Sequence, residues 1–501
     1  MRIWHKRFRH DIFFSYFLSL HKDIHYAFFI FFVFLLITTN YTVSAQNTTW
    51  SKPVEFFEVG QGGSVQSPVL VTDSGGNLHA FWSAAQTEDE TMVLYQSTWR
   101  DIEWTPATDI LISPDGANTW PHEVIVGNDD YVHVFWLGVE NTKIWHYRAH
   151  ASQLDDPDGW VQQASIFPEQ VAFGSFGLTT DSLGTWYLVY GNRSLDRITF
   201  LSSTDDGLSW STEQTAHIEG TPGIWVGNPG IVIAPDGSLI VWWQQMESGS
   251  GRSTGLQYSI RAADQNIWDA PVKLADGYYF GGITFHDDLL IRAIGGGIGT
   301  GGRYISFSED NGLTWKAPTN ISAGSREGAQ DIPWAVDSEG NLHFIVETGS
   351  LFARVEWNGG YWEKPDFVAS REIMDQCCIK PGKVTENAAT GISDGNLVHI
   401  FFEEDNSVIW YANRRLPVEE VKASELIAPP VDLVGEVTIE NIIGKAPYEV
   451  STSSTSVPAN NFSNQEEPTD RKIDPLIIPA FIVVMLLVAI LVWRNPRYPS
   501  R

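Results

Sequence analysis

Apolar and polar residues follow a unit that recurs along the chain between about residue 50 and residue 417. Each copy has a short apolar strand, a turn of Asp, Gly or Asn, and a strongly apolar strand that ends in aromatic residues. Because the copies follow one another about every 50 residues, their spacing is typical of four-stranded propeller blades. The seven copies cover residues 69–82, 123–136, 176–190, 230–243, 282–293, 333–346 and 389–402.

Each copy is followed by a third strand and by a fourth strand that begins near a Trp. The seventh copy has a third strand, residues 408–412, but the chain then becomes polar without a fourth. A matching fourth strand, residues 50–57, lies at the start of the repeat region. We therefore predict an all-β fold, a seven-bladed β-propeller of four-stranded blades closed by its N-terminal strand, with six blades as the alternative. Closure removes the open sheet edge that invites aggregation.

Two turns, residues 203–210 and 308–315, share the pattern Ser-x-Asp-x-Gly-x-Ser/Thr-Trp. The pattern resembles the Asp box of the bacterial neuraminidase repeat, which is found in sialidases and many other propellers. In such a turn the Asp accepts backbone amides, the Gly allows a positive φ, and the Trp anchors the hairpin. The resemblance covers about residues 50–417 and implies a structural role for the boxes, opposite the ligand face. The matching residues are Ser203, Asp205, Gly207, Trp210, Ser308, Asp310, Gly312 and Trp315.

The start of the chain has the charge order of a signal peptide. Arg2 and Lys6 precede the apolar run 27–37, and the small residue Ala45 precedes Gln46. The run is short for a bilayer span, so we expect a signal peptide over residues 1–45, with an uncleaved anchor as the alternative.

The end of the chain predicts a membrane tether. Residues 475–493 form an apolar stretch of the length a spanning helix needs, followed by a basic tail, residues 494–501. Positive residues stay cytoplasmic, so we expect a single-pass type I protein at the cell membrane with an extracellular propeller, residues 46–417. Residues 418–474 are acidic and rich in Pro, Ser and Thr, which favours an extended stalk.

Composition narrows the possible partners. The chain has 32 Lys and Arg against 61 Asp and Glu, a formal net charge of -29, so its surface repels phosphate backbones and nucleic-acid binding is excluded. The 13% of aromatic residues supply a large packed core. No cofactor is expected from any motif.

Chain direction sorts the loops onto two faces. Face A holds the turns between first and second strands together with the Asp-box turns between third and fourth strands. Face B holds the loops after each second strand and the connections between blades, and ligands of such folds normally bind there. Its acids, amides and aromatic residues suit a glycan or glycoconjugate as the ligand. A protein partner is the alternative. The candidate ligand-binding residues are Trp120, His122, Glu123, Arg193, Trp225, Asn228, Gln244, Arg326, Asp331, Glu347 and Glu403.

No catalytic residue can be assigned. The resemblance to sialidases implies an arginine triad, a Tyr nucleophile with a Glu partner, and an Asp acid/base. The Arg motif is absent, and the first Arg after the predicted cleavage site, Arg100, lies on a face-A hairpin. A glycoside hydrolase that uses a carboxylate pair such as Glu123 and Glu403 is one alternative to glycan binding, and an adhesion or protein-binding scaffold is the other.

Histidine and cysteine complete the candidate chemistry. His79, His133, His343 and His399 occupy one repeat position, which indicates blade packing, and no metal site is predicted. Cys377 and Cys378 are adjacent in an exported chain, so a strained vicinal disulfide is expected, with two free buried thiols as the alternative.

Overall fold

The structure is a computed structural model, and its strands fall into two compact units. Of the described residues, Arg100–Ala107 belong to the second unit and the others to the first. The signal peptide, most of the stalk, the predicted span 475–493 and the basic tail lie outside the described residues. Over the part that is described, no helix is long and apolar enough to cross a membrane. The described residues are 49–88, 90–112, 123–138, 143–163, 166, 171–192, 194–250, 252–276, 281–286, 289–295, 302–323, 333–347, 351–369, 373–374 and 385–424.

The first unit is all-β and consists of antiparallel sheets of four strands, numbered here in chain order. Strand β1 (Val54–Glu58) belongs to the last of them. Sheet 1 holds β2 (Ser64–Thr72), β3 (Leu78–Ala85), β4 (Val93–Arg100) and β6 (Thr108–Ile112), while β5 (Glu103–Trp104) lies in the second unit. Sheet 2 holds β7 (Glu123–Val126), β8 (Tyr131–Leu137), β9 (Ile144–His150) and β10 (Val161–Gln162). Sheet 3 holds β11 (Val171–Thr180), β12 (Trp186–Asn192), β13 (Arg197–Ser203) and β14 (Gln214–Ile218).

Four further sheets follow in the described residues. Sheet 4 holds β15 (Ile224–Ile233), β16 (Leu239–Glu247), β17 (Ser253–Arg261) and β18 (Val272–Asp276). Sheet 5 holds β19 (Gly281–His286), β20 (Leu289–Gly295), β21 (Gly302–Ser308) and β22 (Thr319–Ala323). Sheet 6 holds β23 (Trp334–Val336), β24 (Leu342–Glu347), β25 (Phe352–Trp357) and β26 (Asp366–Phe367). Sheet 7 holds β27 (Thr385–Ser393), β28 (Leu397–Glu404), β29 (Val408–Arg415) and β1. Two short 3-10 turns, Ala151–Gln153 and Pro157–Gly159, connect β9 to β10.

Successive sheets pack against each other face to face. The first strands of sheets 1 to 5 contact one another in chain order, β23 contacts β27, and β27 contacts β2 of sheet 1. The core lies between the sheets: Phe135 of sheet 2 packs with Trp186 and Leu188 of sheet 3, for example. In the middle strands, alternate residues are therefore buried against the sheet before and against the sheet after. Because both sides of these strands are buried, the strands are apolar throughout.

Strand β1, at the start of the repeat region, pairs with the last strand of that region. Strand β1 pairs antiparallel with β29 as the outermost strand of sheet 7. Phe56 packs against Phe401 at a centroid distance of 4.6 Å, and Phe57 packs against Trp82 of sheet 1 at 5.2 Å. Burial of a side chain such as Phe57 contributes about 1.5–3 kcal/mol to folding. Strand β1 thus ties sheet 7 to sheet 1.

In several sheets the fourth strand begins directly after a proline that follows the predicted Trp. In sheets 4, 5 and 7 the residues Pro271, Pro318 and Pro53 stand directly before β18, β22 and β1. Proline has no amide hydrogen to donate to the ladder, but its fixed φ suits the first residue of an edge strand. In sheets 4 and 5 the preceding Trp268 and Trp315 lie in the hairpins between the third and fourth strands, on face A.

The four repeated histidines hold the turns between first and second strands. All four side chains are buried. His79 Nε2 lies 3.0 Å from Asp73 Oδ2, and His343 Nε2 lies 2.9 Å from Asp337 Oδ2. These contacts explain why His recurs at this position.

Candidate functional site

The two predicted Asp boxes form closed hydrogen-bonded turns on face A. Asp205 Oδ1 accepts from the Ser203 hydroxyl at 2.7 Å and from the Ser209 amide at 2.8 Å. Gly207 has a φ of 77° and donates its amide to Ser203 Oγ at 2.9 Å. Because the carboxylate is used within its own turn, the box stabilises the hairpin and offers little to a ligand.

The second box repeats this geometry. Asp310 accepts from the Ser308 hydroxyl at 2.7 Å and from the Thr314 amide at 2.8 Å. Hydrogen bonds from the Thr314 hydroxyl and amide and from Ser308 lower the pKa of Asp310 to about 2. Each box also meets the sheet before it: His146 of sheet 2 contacts Gly207, and the Tyr258 hydroxyl of sheet 4 donates to the Gly312 carbonyl.

The face-B edge of sheet 4 carries polar groups on both of its sides. On the side toward sheet 3, Gln245 Nε2 donates to Glu219 Oε2 at 2.6 Å, and the Thr221 amide donates to Glu219 Oε1 at 2.8 Å. The His217 ring stacks on Trp243 at 4.5 Å, with Nε2 3.8 Å from the Glu219 carboxylate. Gln245 is half-buried, whereas the Glu219 side chain is only 6% exposed, so a ligand reaches this group from solvent through Gln245.

The charges of this group are fixed by its surroundings. Burial raises the pKa of Glu219, but hydrogen bonds from Thr221 and Gln245, together with His217, outweigh it and lower the pKa overall. Burial lowers the pKa of His217 in spite of the neighbouring Glu219. At neutral pH we therefore expect an ionised carboxylate beside a neutral imidazole. That arrangement provides a hydrogen-bond acceptor and not a proton donor at Glu219.

On the other side of sheet 4, the strand β15 is bulged. The pairing of β15 with β16 shifts between Gly227 and Gly230, and Asn228 within the bulge has a φ of 48°. Its side-chain amide donates to Gln244 Oε1 at 2.7 Å. Trp225, on the same side of the sheet by its register with Met246, is half-buried. An aromatic ring and amide groups thus occupy one side of this edge.

The same bulge recurs in sheet 7, where it buries a candidate acid. Asn387 has a φ of 44°, and its amide donates to Glu403 Oε2 at 3.1 Å. The backbone amide of Ser67, in the bulge of sheet 1, lies 3.3 Å from the same oxygen. Glu403 is 0% exposed. Glu403 therefore positions the first strands of two sheets, and its carboxylate is not accessible from face B.

The predicted ligand residues fall into three groups. Glu123 in β7 and Trp225 and Asn228 in β15 are half-buried, whereas Gln244 and Glu403 are buried. Glu347 ends β24, and its side chain is outside the described residues. The structure also does not describe Trp120, His122, Arg193, Arg326, Asp331 and the pair Cys377 and Cys378. Gln245, a face-B residue of the fourth copy, belongs to the candidate site, and His217 and Glu219 complete it without having been predicted; the signal for Glu219 was its place in a connection on face B.

A cavity of about 510 Å³ lies on the other face, between the first strands of sheets 1, 6 and 7. Apolar side chains such as Leu70, Trp334 and Ile392 line much of it. The Asp337 carboxylate in its lining is held by Asn341 and His343, at 2.9 Å each. Because its polar groups are used in holding turns, we place the candidate site on face B, where half-buried polar side chains lie on both sides of the edge of sheet 4.

Comparison with known proteins gives similarity at the level of structure only. No protein-family model and no curated protein matches the chain. A protein of unknown function from Dyadobacter fermentans is 11% identical over 73% of this chain and 99% of its own, with a TM-score of 0.46. An ulvan lyase bound to a GlcA–Rha3S oligosaccharide is 11% identical over 72% and 95%, with a TM-score of 0.49. A Trypanosoma rangeli sialidase in complex with sialic acid is 12% identical over 74% and 59%, with a TM-score of 0.40. Similarities this weak assign neither an activity nor a ligand to the chain.

Proposed function

We propose that the chain is a membrane-tethered extracellular β-propeller of seven blades that recognises glycans through face B. The seven sheets would be its blades, and the pairing of β1 with β29 supports a closed ring. The signal peptide and the C-terminal span rest on the sequence patterns at residues 1–45 and 475–493.

The face-B edge of sheet 4 carries the proposal of glycan binding. A sugar presents hydroxyls that need both donors and acceptors, and an apolar ring face that stacks on an aromatic side chain. On one side of the sheet Glu219 supplies an acceptor and Gln245 an amide, and on the other side Asn228 supplies an amide and Trp225 a half-buried indole. Glu219, Gln245 and Asn228 are held by hydrogen bonds within the protein, so little conformational entropy is lost when a ligand binds.

Binding is favoured over hydrolysis by the state of the acids. Glycoside hydrolysis needs a protonated acid next to the glycosidic oxygen. The lowered pKa of Glu219 keeps it ionised, and Glu403, one member of the predicted carboxylate pair, is buried between sheets 7 and 1. Neither group suits the role of general acid.

The class of function is tested with the purified full-length chain in detergent, applied to a glycan array and to a panel of fluorogenic glycosides. We expect binding to a related set of glycans and no release of the fluorophore. Turnover of any glycoside would replace the binding hypothesis with a hydrolase. Silence on both arrays would favour a protein-binding scaffold.

A further inference from the structure

The hairpin tips on face A expose large apolar side chains. Leu183 is 89% exposed, Ile267 75%, Leu313 74% and Tyr361 61%. Leu183 lies between the first and second strands of sheet 3, and the other three lie between the third and fourth strands of sheets 4, 5 and 6. Leu208, at the equivalent place in sheet 3, is 48% exposed. In both Asp boxes the exposed Leu stands directly after the Gly; its amide donates to the Asp carbonyl within the turn, while its side chain is exposed.

Among the described connections between strands, this exposure is concentrated on face A. The other exposed large apolar residues of the first unit lie mostly on outer strands, and two of them, Ile112 at 66% and Ile218 at 62%, end β6 and β14 toward face B. Within the described connections of face B, one large apolar side chain is exposed: Ile373, with an exposed fraction of 37%. Single exposed apolar residues are common on soluble proteins, but here they recur at hairpin tips of one face, which favours an interaction surface.

The described chain also leaves the first unit on face A. After β29, residues 416–424 run across the turns of sheets 7, 6 and 1. The Val421 amide donates to the Asp394 carbonyl at 2.7 Å, and the Ser424 amide donates to the Gly75 carbonyl at 2.7 Å. Ser338 Oγ donates to the Glu419 carbonyl at 2.6 Å. The first residues of the predicted stalk are therefore fixed to this face, and residues 425–501 continue from it.

We propose that face A docks on the surface of a lipid bilayer, so that face B opens away from the membrane. The proposal rests on the proposed tether. Residues 425–474 would join the docked segment to the predicted span, and a flexible chain of that length has a root-mean-square span of about 40 Å. The hairpin tips are then held near the bilayer at an effective concentration of about millimolar, so several weakly inserting side chains are enough for docking.

The charge of the chain determines which lipids suit this surface. The formal net charge is -29, and acidic residues such as Asp206 and Asp264 stand near the apolar tips. Anionic headgroups would repel this surface over a Debye length, whereas zwitterionic headgroups would not. We therefore infer a docking surface for neutral, zwitterionic lipid.

The test uses the full-length chain, with Cys377→Ser and Cys378→Ser, reconstituted in phosphatidylcholine vesicles. A cysteine introduced by Leu313→Cys carries an environment-sensitive fluorophore, and Ile267→Cys provides a second site in case one variant does not fold. Ile218→Cys, an exposed position at the face-B end of β14, is the matched control. Brominated phosphatidylcholine should quench the fluorophores at 313 and 267 about two-fold and leave the one at 218 unchanged. Added phosphatidylglycerol should weaken the quenching, and salt should restore it.

Three outcomes would overturn the proposal. If the protein is lost from the vesicles on alkaline carbonate extraction, the tether fails and the docking fails with it. If the protein is retained but neither 313 nor 267 is quenched, the docking alone is wrong. If the fluorophores at 313 and 267 are shielded from water without quenching by the brominated lipid, face A is covered by protein instead.

Discussion

Asp73 and Asp337 occupy the same place in two different sheets and are held by the same partners. Each accepts the backbone amide of an Asn four residues later and a contact from the His six residues later. Burial raises the pKa of Asp337, but hydrogen bonds from His343 and Asn341 outweigh it and lower the pKa overall. In these two sheets the buried His is held by its Asp, which explains why the pair recurs.

Replacing Asp337 should cost more than replacing an exposed acid. Asp337→Asn removes the charge and one acceptor from a buried group, so we expect the free energy of unfolding to fall by about 1–3 kcal/mol. Asp264→Asn, in an exposed hairpin, should change it by less than about 0.5 kcal/mol. Urea denaturation measures both, and equal midpoints for the two variants would show that the Asp337–His343 contact has no stabilising role.

At the scale of elements, the strands follow from the apolar pattern and the bulges do not. The repeat predicted the second strands well, because residues buried on both sides must be apolar. The bulges at Asn228 and Asn387 depend on contacts between first strands of different sheets, which no local pattern contains. For this reason Glu403, at the end of an apolar strand, was predicted to face a ligand although it is buried.

The Asp-box glycine tests the contact between neighbouring sheets. A Cβ at Gly207 would lie 3.0 Å from His146 Cε1 of sheet 2, in addition to the strain of a φ of 77°. Gly249 has a φ of 87° with no atom within 4 Å, so its substitution adds strain alone. We expect Gly207→Ala to lower the free energy of unfolding by at least about 1 kcal/mol more than Gly249→Ala. Identical urea midpoints would contradict the docking of sheet 2 on the box.

At the scale of the whole molecule, buried histidines make the fold sensitive to acid. Burial next to His133 and Arg148 lowers the pKa of His146 to about 2, and burial near Arg415 lowers the pKa of His399 to about 3. In the unfolded chain both titrate near 6.5, so the unfolded state binds more protons below that pH. Stability is therefore greatest above pH 6.5 and declines as the pH falls.

Each of these two histidines should contribute a loss of about 1.4 kcal/mol per pH unit between pH 6 and pH 4. The free energy of unfolding, measured with urea from pH 7.5 to pH 4, should follow this slope. His146→Gln should reduce the slope of the unfolding free energy by the contribution of one histidine, about 1.4 kcal/mol per pH unit, and the contribution of His399 should remain. A stability that stays constant down to pH 4 would mean that these rings are solvated in the native protein.

The account as a whole depends on glycan recognition at the face-B edge of sheet 4. Its most direct test is the dissociation constant of the strongest array glycan for Trp225→Ala and for Tyr361→Ala in the full-length chain. Trp225 lies at the candidate site, whereas Tyr361 is an exposed aromatic residue on face A. Loss of a stacked ring should weaken binding about ten-fold or more in the first variant and leave the second unchanged. Unchanged affinity in Trp225→Ala, or equal losses in both variants, would contradict the account.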